Sequence, residues 1–153
     1  MGNTFTQVHL HIIFAVQNRT SLIDKSWEER LYKYIIAIIQ NRGHKVLSIG
    51  GMPDHIHILI GFRPTEAPSL LIQIVKRDTS LWINENKLVR GSFNWQEGYG
   101  VFSYSKSQLS TVISYIENQK KHHSKQSFQE EFKSILDRLG IDYDPQYLFH
   151  KVE

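Results

Sequence analysis

Cysteine is absent from the 153 residues. That excludes a disulfide framework and every cysteine-based zinc site, so any transition-metal ligand has to be histidine, carboxylate or amide. Long apolar runs are missing as well. The longest, around Ile35 to Ile39, falls far short of the roughly 18–20 residues that span a bilayer. No basic stretch leads into an apolar one near Met1, so a soluble, cytoplasmic protein with no membrane partner is expected. Repeats, linkers and low-complexity tracts are lacking, and one domain covering residues 1–153 is expected, long enough to bury a core without staples. Excess charge of either sign is small: the formal net charge is +3 and the pI about 9.1. That balance admits a nucleic-acid partner without establishing one.

What the chain does have is histidine, eight in all. Two of them fall in Asp54-His55-Ile56-His57-Ile58-Leu59-Ile60. Side chains alternate on a strand, so His55 and His57 share one face while Ile56, Ile58, Ile60 and Phe62 share the other. Two imidazoles on one face can hold a metal ion that polarises a phosphoryl oxygen, or they can line a wet sheet surface. A histidine-triad nucleotide hydrolase needs a histidine where Leu59 stands. Two-histidine phosphoesterases need paired His-x-Thr or His-x-Ser elements, and there are none.

The flanking pattern places this strand in a fold. Gln7 to Val16 has Val8, Leu10, Ile12, Phe14 and Val16 on one parity, with His9 and His11 on the other, which predicts a strand. A helix is expected over Asp24 to Arg42, opened by Ser26 and Glu29 at capping-box spacing and stopped by Gly43. Trp27, Leu31, Ile35, Ile38 and Ile39 form its apolar stripe. His44 to Ile49 reads as a short strand, with Gly50-Gly51-Met52-Pro53 as the turn of a hairpin. Pro68 and Ser69 open a second helix that can pack through Leu71, Ile74, Val75 and Trp82. Phe93 to Tyr104, with Gly98 and Gly100, reads as a bent or bulged strand.

The order is βαββαβ, the ferredoxin-like (RRM-like) arrangement of the α+β class. Both helices would cover one face of an antiparallel sheet, leaving His9, His11, His55 and His57 on the other. C-terminal helices supply a roof there. Ser105 to His123 is expected as one helix with Leu109, Val112, Ile113 and Ile116 in its stripe. Ser127 to Leu139 is a further helix that starts with Ser127 and Glu130 at capping-box spacing and buries Phe128, Phe132, Ile135, Leu136 and Leu139. Gly140 ends it, before an aromatic tail around Tyr143 and Tyr147.

Tyr115 and Gln119 lie one turn apart, where helical side chains meet. Gln119 can offer an amide oxygen to a metal held by the two histidines and bring the phenol with it. Asp54 either orients one of the imidazoles through its second ring nitrogen or merely begins the strand. His11 either ligates or packs and hydrogen-bonds beside the site. Lys76 and Arg77, and the run Lys120, Lys121, His122, His123 and Lys125, are solvated faces or contacts to backbone phosphates.

Taken together, Asp54-His55-Ile56-His57, the segment Asn94-Trp95-Gln96-Glu97-Gly98-Tyr99-Gly100-Val101-Phe102-Ser103 and Tyr115-Ile116-Glu117-Asn118-Gln119 resemble the single-tyrosine HUH transposases of the simplest bacterial insertion sequences. These include the REP-associated tyrosine transposases. The likeness extends over nearly the whole chain, with His11-Ile12-Ile13-Phe14, Lys76 to Asn84 and Gln119-Lys120-Lys121-His122-His123 in the same order. The resemblance implies Tyr115 as nucleophile and His55, His57 and Gln119 as ligands of a divalent ion. It further implies cleavage and rejoining of single-stranded DNA at hairpin-bearing ends through a 5′-phosphotyrosine, in a bacterial cytoplasm. Imidazoles by themselves suit zinc or another transition metal, whereas the resemblance implies Mg2+ or Mn2+. It also implies a homodimer in which the tyrosine helix of one subunit completes the histidine site of the other, while the sequence itself admits assembly in cis or in trans. Lys76, Arg77, Lys106, Lys120, Lys121 and His122 are the candidate DNA contacts by charge, and the Lys-Arg-Asp-Thr-Ser run from Lys76 departs from the family's serine-rich continuation. Two rival readings are a domesticated hairpin-DNA binder that no longer transposes and a metal phosphodiesterase that uses water.

Overall fold

The computed structural model describes residues 3–122 and 126–144. Of the expected features, His123, Lys125 and Tyr147 lie outside the described residues. Strand β1 covers His9–Ala15, helix α1 Lys25–Asn41, β2 Lys45–Met52, β3 His55–Gly61, α2 Pro68–Glu85 and β4 Gly100–Ser103. After them come α3 (Leu109–Glu117), the one-turn α4 (Gln119–His122) and α5 (Phe128–Arg138). The strands lie in the order β2-β3-β1-β4, every pairing antiparallel. This is the ferredoxin-like arrangement that the element order predicts.

The two-residue period sorts the strands cleanly. Leu10, Ile12 and Phe14 of β1 and Ile56, Ile58 and Ile60 of β3 enter one core with Trp27, Leu31, Ile35 and Ile39 of α1 and Leu71, Ile72, Val75 and Ile83 of α2. Ile74 is only half-buried, while Ile72 and Ile83, which the predicted stripe leaves out, are buried. The opposite parity carries His11, Ile13 and Ala15 and His55, His57 and Leu59 beneath the C-terminal helices. Its apolar residues fall into two smaller groups, one around Ile13, Phe102, Phe128 and Ile135 and one of Leu59, Val112 and Ile116.

Several boundaries differ from expectation for identifiable reasons. Asp24, not Ser26, caps α1: its carboxylate accepts from Ser26 N at 3.0 Å and Ser26 Oγ at 2.6 Å. Gly43 follows with φ +94°, the left-handed conformation a side chain would resist. β2 does not stop at Ile49. It runs through Gly50 and Gly51 to Met52, which pair with His57, Ile56 and His55 of β3, and it carries a bulge between Val46 and Ser48. A Cβ on Gly50 would lie 2.6 Å from Ile116 O, so the bare glycine is what lets α3 lie directly on the sheet.

Only Gly100–Ser103 of the expected Phe93–Tyr104 strand is laddered, with one isolated bridge from Val16 to Trp95. The rest is held by side chains of α2. Asn84 pairs with both backbone groups of Phe93, at 2.7 and 3.0 Å. Thr79 Oγ1 accepts from Trp95 Nε1 at 2.8 Å, and Lys76 Nζ donates to Gln96 O at 2.9 Å and Gly98 O at 2.5 Å.

The expected helix from Ser105 to His123 is broken. A 3-10 turn at Lys106–Gln108 precedes α3, and Asn118 leaves helical geometry at φ −99°, ψ 19°. Its backbone N and side-chain Nδ2 both donate to Ser114 O, at 3.0 and 2.8 Å, and such side-chain back-bonding to the i−4 carbonyl bends helices. α5 matches expectation closely: Ser127 caps it by accepting from Glu130 N, and Gly140 follows at φ +69°. Leu139, expected to be buried, is 39 % exposed.

Candidate active site

β3 has β2 on one side and β1 on the other, so its backbone is fixed on both edges. Ile56, Ile58 and Ile60 anchor it from the opposite face. The two imidazoles it carries are fully buried, and each ring has one nitrogen supported and the other presented. His55 Nδ1 meets Asp54 Oδ1 at 2.7 Å, and His57 Nδ1 shares a hydrogen bond with His11 Nε2 at 2.8 Å. Both Nε2 atoms face Glu131 Oε1, at 3.4 Å from His55 and 3.0 Å from His57.

Glu131 is the hub of the arrangement. Its Oε2 accepts from the Tyr115 hydroxyl and from Gln119 Nε2 at 3.0 Å, while Gln119 Oε1 lies 3.1 Å from His55 Nε2. The Tyr115 ring stands edge-on to His57 with centroids 5.7 Å apart. Phe128, one turn before Glu131 on α5, lies against His55 at 4.4 Å. Side chains from β1, β3, α3, α4 and α5 therefore converge on one buried point.

The donor set fits a divalent ion. His55, His57 and Glu131 each present a ligand atom, all within 4.8 Å of one another, and the amide oxygen of Gln119 faces the same place. Ligation through Nε2 requires the proton on Nδ1, and Asp54 accepts such a proton from His55, the usual outer support of a metal-bound imidazole. Without an ion, His55 faces the oxygens of Asp54, Gln119 and Glu131. Burial pulls its pKa down, but hydrogen bonds to Asp54 and Glu131 outweigh that and raise it to about 9. An ion bound there would displace that proton.

His11 is in the contrary situation: burial and then the neighbouring His57 lower its pKa to about 3, so its ring is neutral. Burial and next the charge of Glu131 push the Tyr115 phenol well above its ordinary value of 10. The phenol rests protonated with a carboxylate as its acceptor.

The structure brings Tyr115, His55, His57 and Gln119 together, and places Asp54 and His11 behind the two imidazoles. Glu131 is the residue the sequence reasoning misses. A signal existed, because position 131 falls within the α5 stripe of Phe128, Phe132, Ile135 and Leu136, and an acid on an apolar stripe calls for a partner. His9, the other histidine assigned to this face, lies at the far end of β1 opposite Gly61 and does not join the site.

The candidate DNA contacts do not gather in one place. Lys76 and Arg77 sit on α2, which covers the opposite face of the sheet. Lys76 holds the 96–98 backbone and Arg77 pairs with Asp78 at 3.0 Å. Lys120 pairs with Glu28 at 2.7 Å, while Lys106 and Lys121 are exposed. The side chain of His122 lies outside what the structure describes. Among the described residues, no helix is long and apolar enough to cross a membrane.

Known proteins similar to this chain include transposases. The chain is 24% identical over 119 residues to the ISDra2 transposase TnpA of Deinococcus radiodurans, covering 74% of this chain and 84% of that protein. A crystal structure of a candidate transposase from the same organism superposes with a TM-score of 0.62 at 22% identity, over 78% of this chain and 96% of the other. A REP-associated tyrosine transposase bound to a REP hairpin has a TM-score of 0.61 at 14% identity, over 100% and 93% of the two chains. At these identities the two solved structures speak for the fold. The family model described as IS200-like transposase matches residues 4–119, a stretch that runs from before β1 to Gln119, and the chain therefore belongs to the IS200-like transposase family.

Proposed function

We propose that this chain cleaves and rejoins single-stranded DNA at hairpin-bearing element ends, with Tyr115 as the nucleophile. The observation that carries the reading is that the Tyr115 hydroxyl and the His55 and His57 imidazoles meet on one carboxylate, Glu131. That puts an oxygen nucleophile beside a set of cation ligands, as phosphodiester attack requires. The hairpin-bound transposase of the same fold supports hairpin DNA as the partner.

In the step proposed, the bond between Tyr115 Oη and phosphorus forms and the P–O3′ bond breaks. The phenol proton has Glu131 Oε2 as its acceptor, and the departing 3′-oxygen takes a proton from solvent. The product is a 5′-phosphotyrosine and a free 3′-hydroxyl, which can reverse the reaction at a new junction without an external energy source. His55, His57, Glu131 and Gln119 would hold a divalent ion, Mg2+ or Mn2+, which supplies Lewis-acid stabilisation of the charge developing on phosphate. Phe128 and the apolar residues around it keep bulk water from the imidazoles.

The test is a denaturing gel of end-labelled single-stranded DNA from the flanks of the protein's own gene, incubated with protein and Mn2+. A covalent adduct that disappears in Tyr115→Phe is expected. Cleavage that survives in Tyr115→Phe would instead establish water as the nucleophile, and tight binding without an adduct would leave a hairpin-binding protein. One chain supplies every residue of the site, and the homodimer is part of the proposal. Mixing inactive Tyr115→Phe and His57→Ala proteins restores the adduct only if two copies exchange their tyrosine helices.

A further inference from the structure

We propose that the cavity between α3 and α5 seats one nucleotide of the DNA, the one that becomes linked to Tyr115, and that Arg138 holds the phosphate on its 3′ side. The inference deepens the reading above and rests on it.

The cavity has a volume of about 510 Å3, and its walls include His11, Tyr104, Gln108, Thr111, Tyr115 and Arg138. Tyr115 being in the wall decides which part of the strand lies there. In an in-line displacement the 3′-oxygen departs on the side of phosphorus away from the phenol. The nucleotide that stays attached must remain within one phosphodiester of the Tyr115 oxygen, and this is the space that adjoins it.

The chemistry of the walls suits a nucleotide. Tyr104 offers an aromatic face on which a base can stack. Thr111 and Gln108 offer hydroxyl and amide groups for its edge or sugar. His11 is 1 % exposed, its Nε2 is committed to His57, and its buried Nδ1 has no hydrogen-bond partner among the described residues. A ligand in the cavity would satisfy that atom.

Arg138 is the cation of the cavity. No hydrogen bond or ion pair engages its guanidinium among the described residues, and its positive charge acts on the rings of His11, Tyr104 and Tyr115. Along α5, Glu131, Ile135 and Arg138 follow one another at i, i+4 and i+7, so they share a face. Seven residues at 1.5 Å each put Arg138 about 10 Å along the helix from Glu131. The scissile phosphate belongs at the Glu131 end, which leaves the next phosphate for Arg138. Both residues lie beyond the stretch 4–119 that the family model matches.

The experiment compares wild type with Arg138→Gln and Arg138→Lys on the same labelled flank DNA with Mn2+. Arg138→Gln is expected to form the adduct about 10- to 100-fold more slowly, the loss of one charge-assisted hydrogen bond, with Arg138→Lys intermediate. Melting temperature and calorimetric Mn2+ affinity should equal those of wild type, since Arg138 is exposed and contacts no ligand of the ion. A neutral methylphosphonate at the linkage one nucleotide 3′ of the cut should slow wild type by a similar factor and leave Arg138→Gln unchanged. Equal adduct rates in wild type and Arg138→Gln, or an equal methylphosphonate effect in both, would overturn the assignment while leaving Tyr115 as nucleophile. A wild-type protein that forms no adduct on this DNA would instead remove the tyrosine reading and this inference with it.

Discussion

The two faces of the sheet are made by the same strands, yet they are built on opposite principles. The face under α1 and α2 is a continuous apolar core, with His44 stacked on Phe62 at its edge. The face under α3, α4 and α5 divides its apolar residues into two small groups around His11, His55, His57, Gln119 and Glu131. The difference teaches how a strand can be both stave and tool. Ile56 and Ile58 lock β3 from one side, which denies His55 and His57 any freedom to tilt on the other. The buried polar groups of the second face are tolerated because nearly every one has a partner.

The comparison can be broken most sharply at its hub. Glu131→Gln removes the charge that His55, His57 and Tyr115 share. We expect Mn2+ affinity to fall by about 100-fold or more, beyond the usual cost of losing an outer-shell partner, with adduct formation falling alongside. Calorimetry and the gel assay read the two effects, and unchanged Mn2+ binding would return ligation to the two histidines and Gln119 alone.

Next comes a pair of neighbours on β3, both fully buried, that face opposite ways. Ile58→Ala in the continuous core should cost about 4 kcal/mol, and Leu59→Ala about 2 kcal/mol, since α3 can settle into the gap it leaves. Urea unfolding of the two variants measures the contrast, and equal losses would mean that both faces are equally rigid. Gly50→Ala sharpens it from the other side. Its Cβ would strike the carbonyl of Ile116, the residue after Tyr115, so adduct formation should fall about 100-fold through misplacement of the phenol. Mn2+ binding should change far less.

Asp54→Asn should weaken Mn2+ binding about tenfold by loosening the hold on His55, with the melting temperature nearly unchanged. The smallest effect lies at the edge of the apolar face, just before β2. Arg42 first, and also His44, hydrogen-bond Glu66 and hold its carboxyl below the ordinary carboxylate value. A depressed carboxylate contributes stability that is present above its unfolded pKa and lost as pH falls through the folded one. The stability difference between wild type and Glu66→Gln should therefore be full at neutral pH and close in acid. A difference that does not vary with pH would show the contact to be one of shape.

Much of this was legible because period and parity are local. The strand carrying His55 and His57, the stripe of α1, the Pro68 start of α2 and the Ser127 cap of α5 follow from neighbours a few residues apart. The misses are contacts that no local rule reports. β2 runs past Ile49 through its pairing with β3, and its Gly50 lies against a helix from much later in the chain. The Phe93–Gly98 stretch is shaped by Asn84, Thr79 and Lys76 of α2 instead of a strand neighbour. The break falls at Asn118, whose side chain bonds back to Ser114 O beside its own backbone N–H. Glu131 escaped notice because its partners are far away in sequence, although its place on an apolar stripe was visible.

That remoteness bears on how the protein is made. Glu131 meets His57 across 74 residues, whereas β1, β3 and the helix between them can associate as soon as they are synthesised. At roughly 5–20 residues per second, ribosomal synthesis needs about 4–15 s to travel from the histidine pair to its acid. During that interval the sheet can form with its histidine face still bare, and a chain truncated before α5 would resemble that nascent state. The order of synthesis thus makes closure over the imidazoles a late event, so the chain acquires its core before it acquires its reactivity.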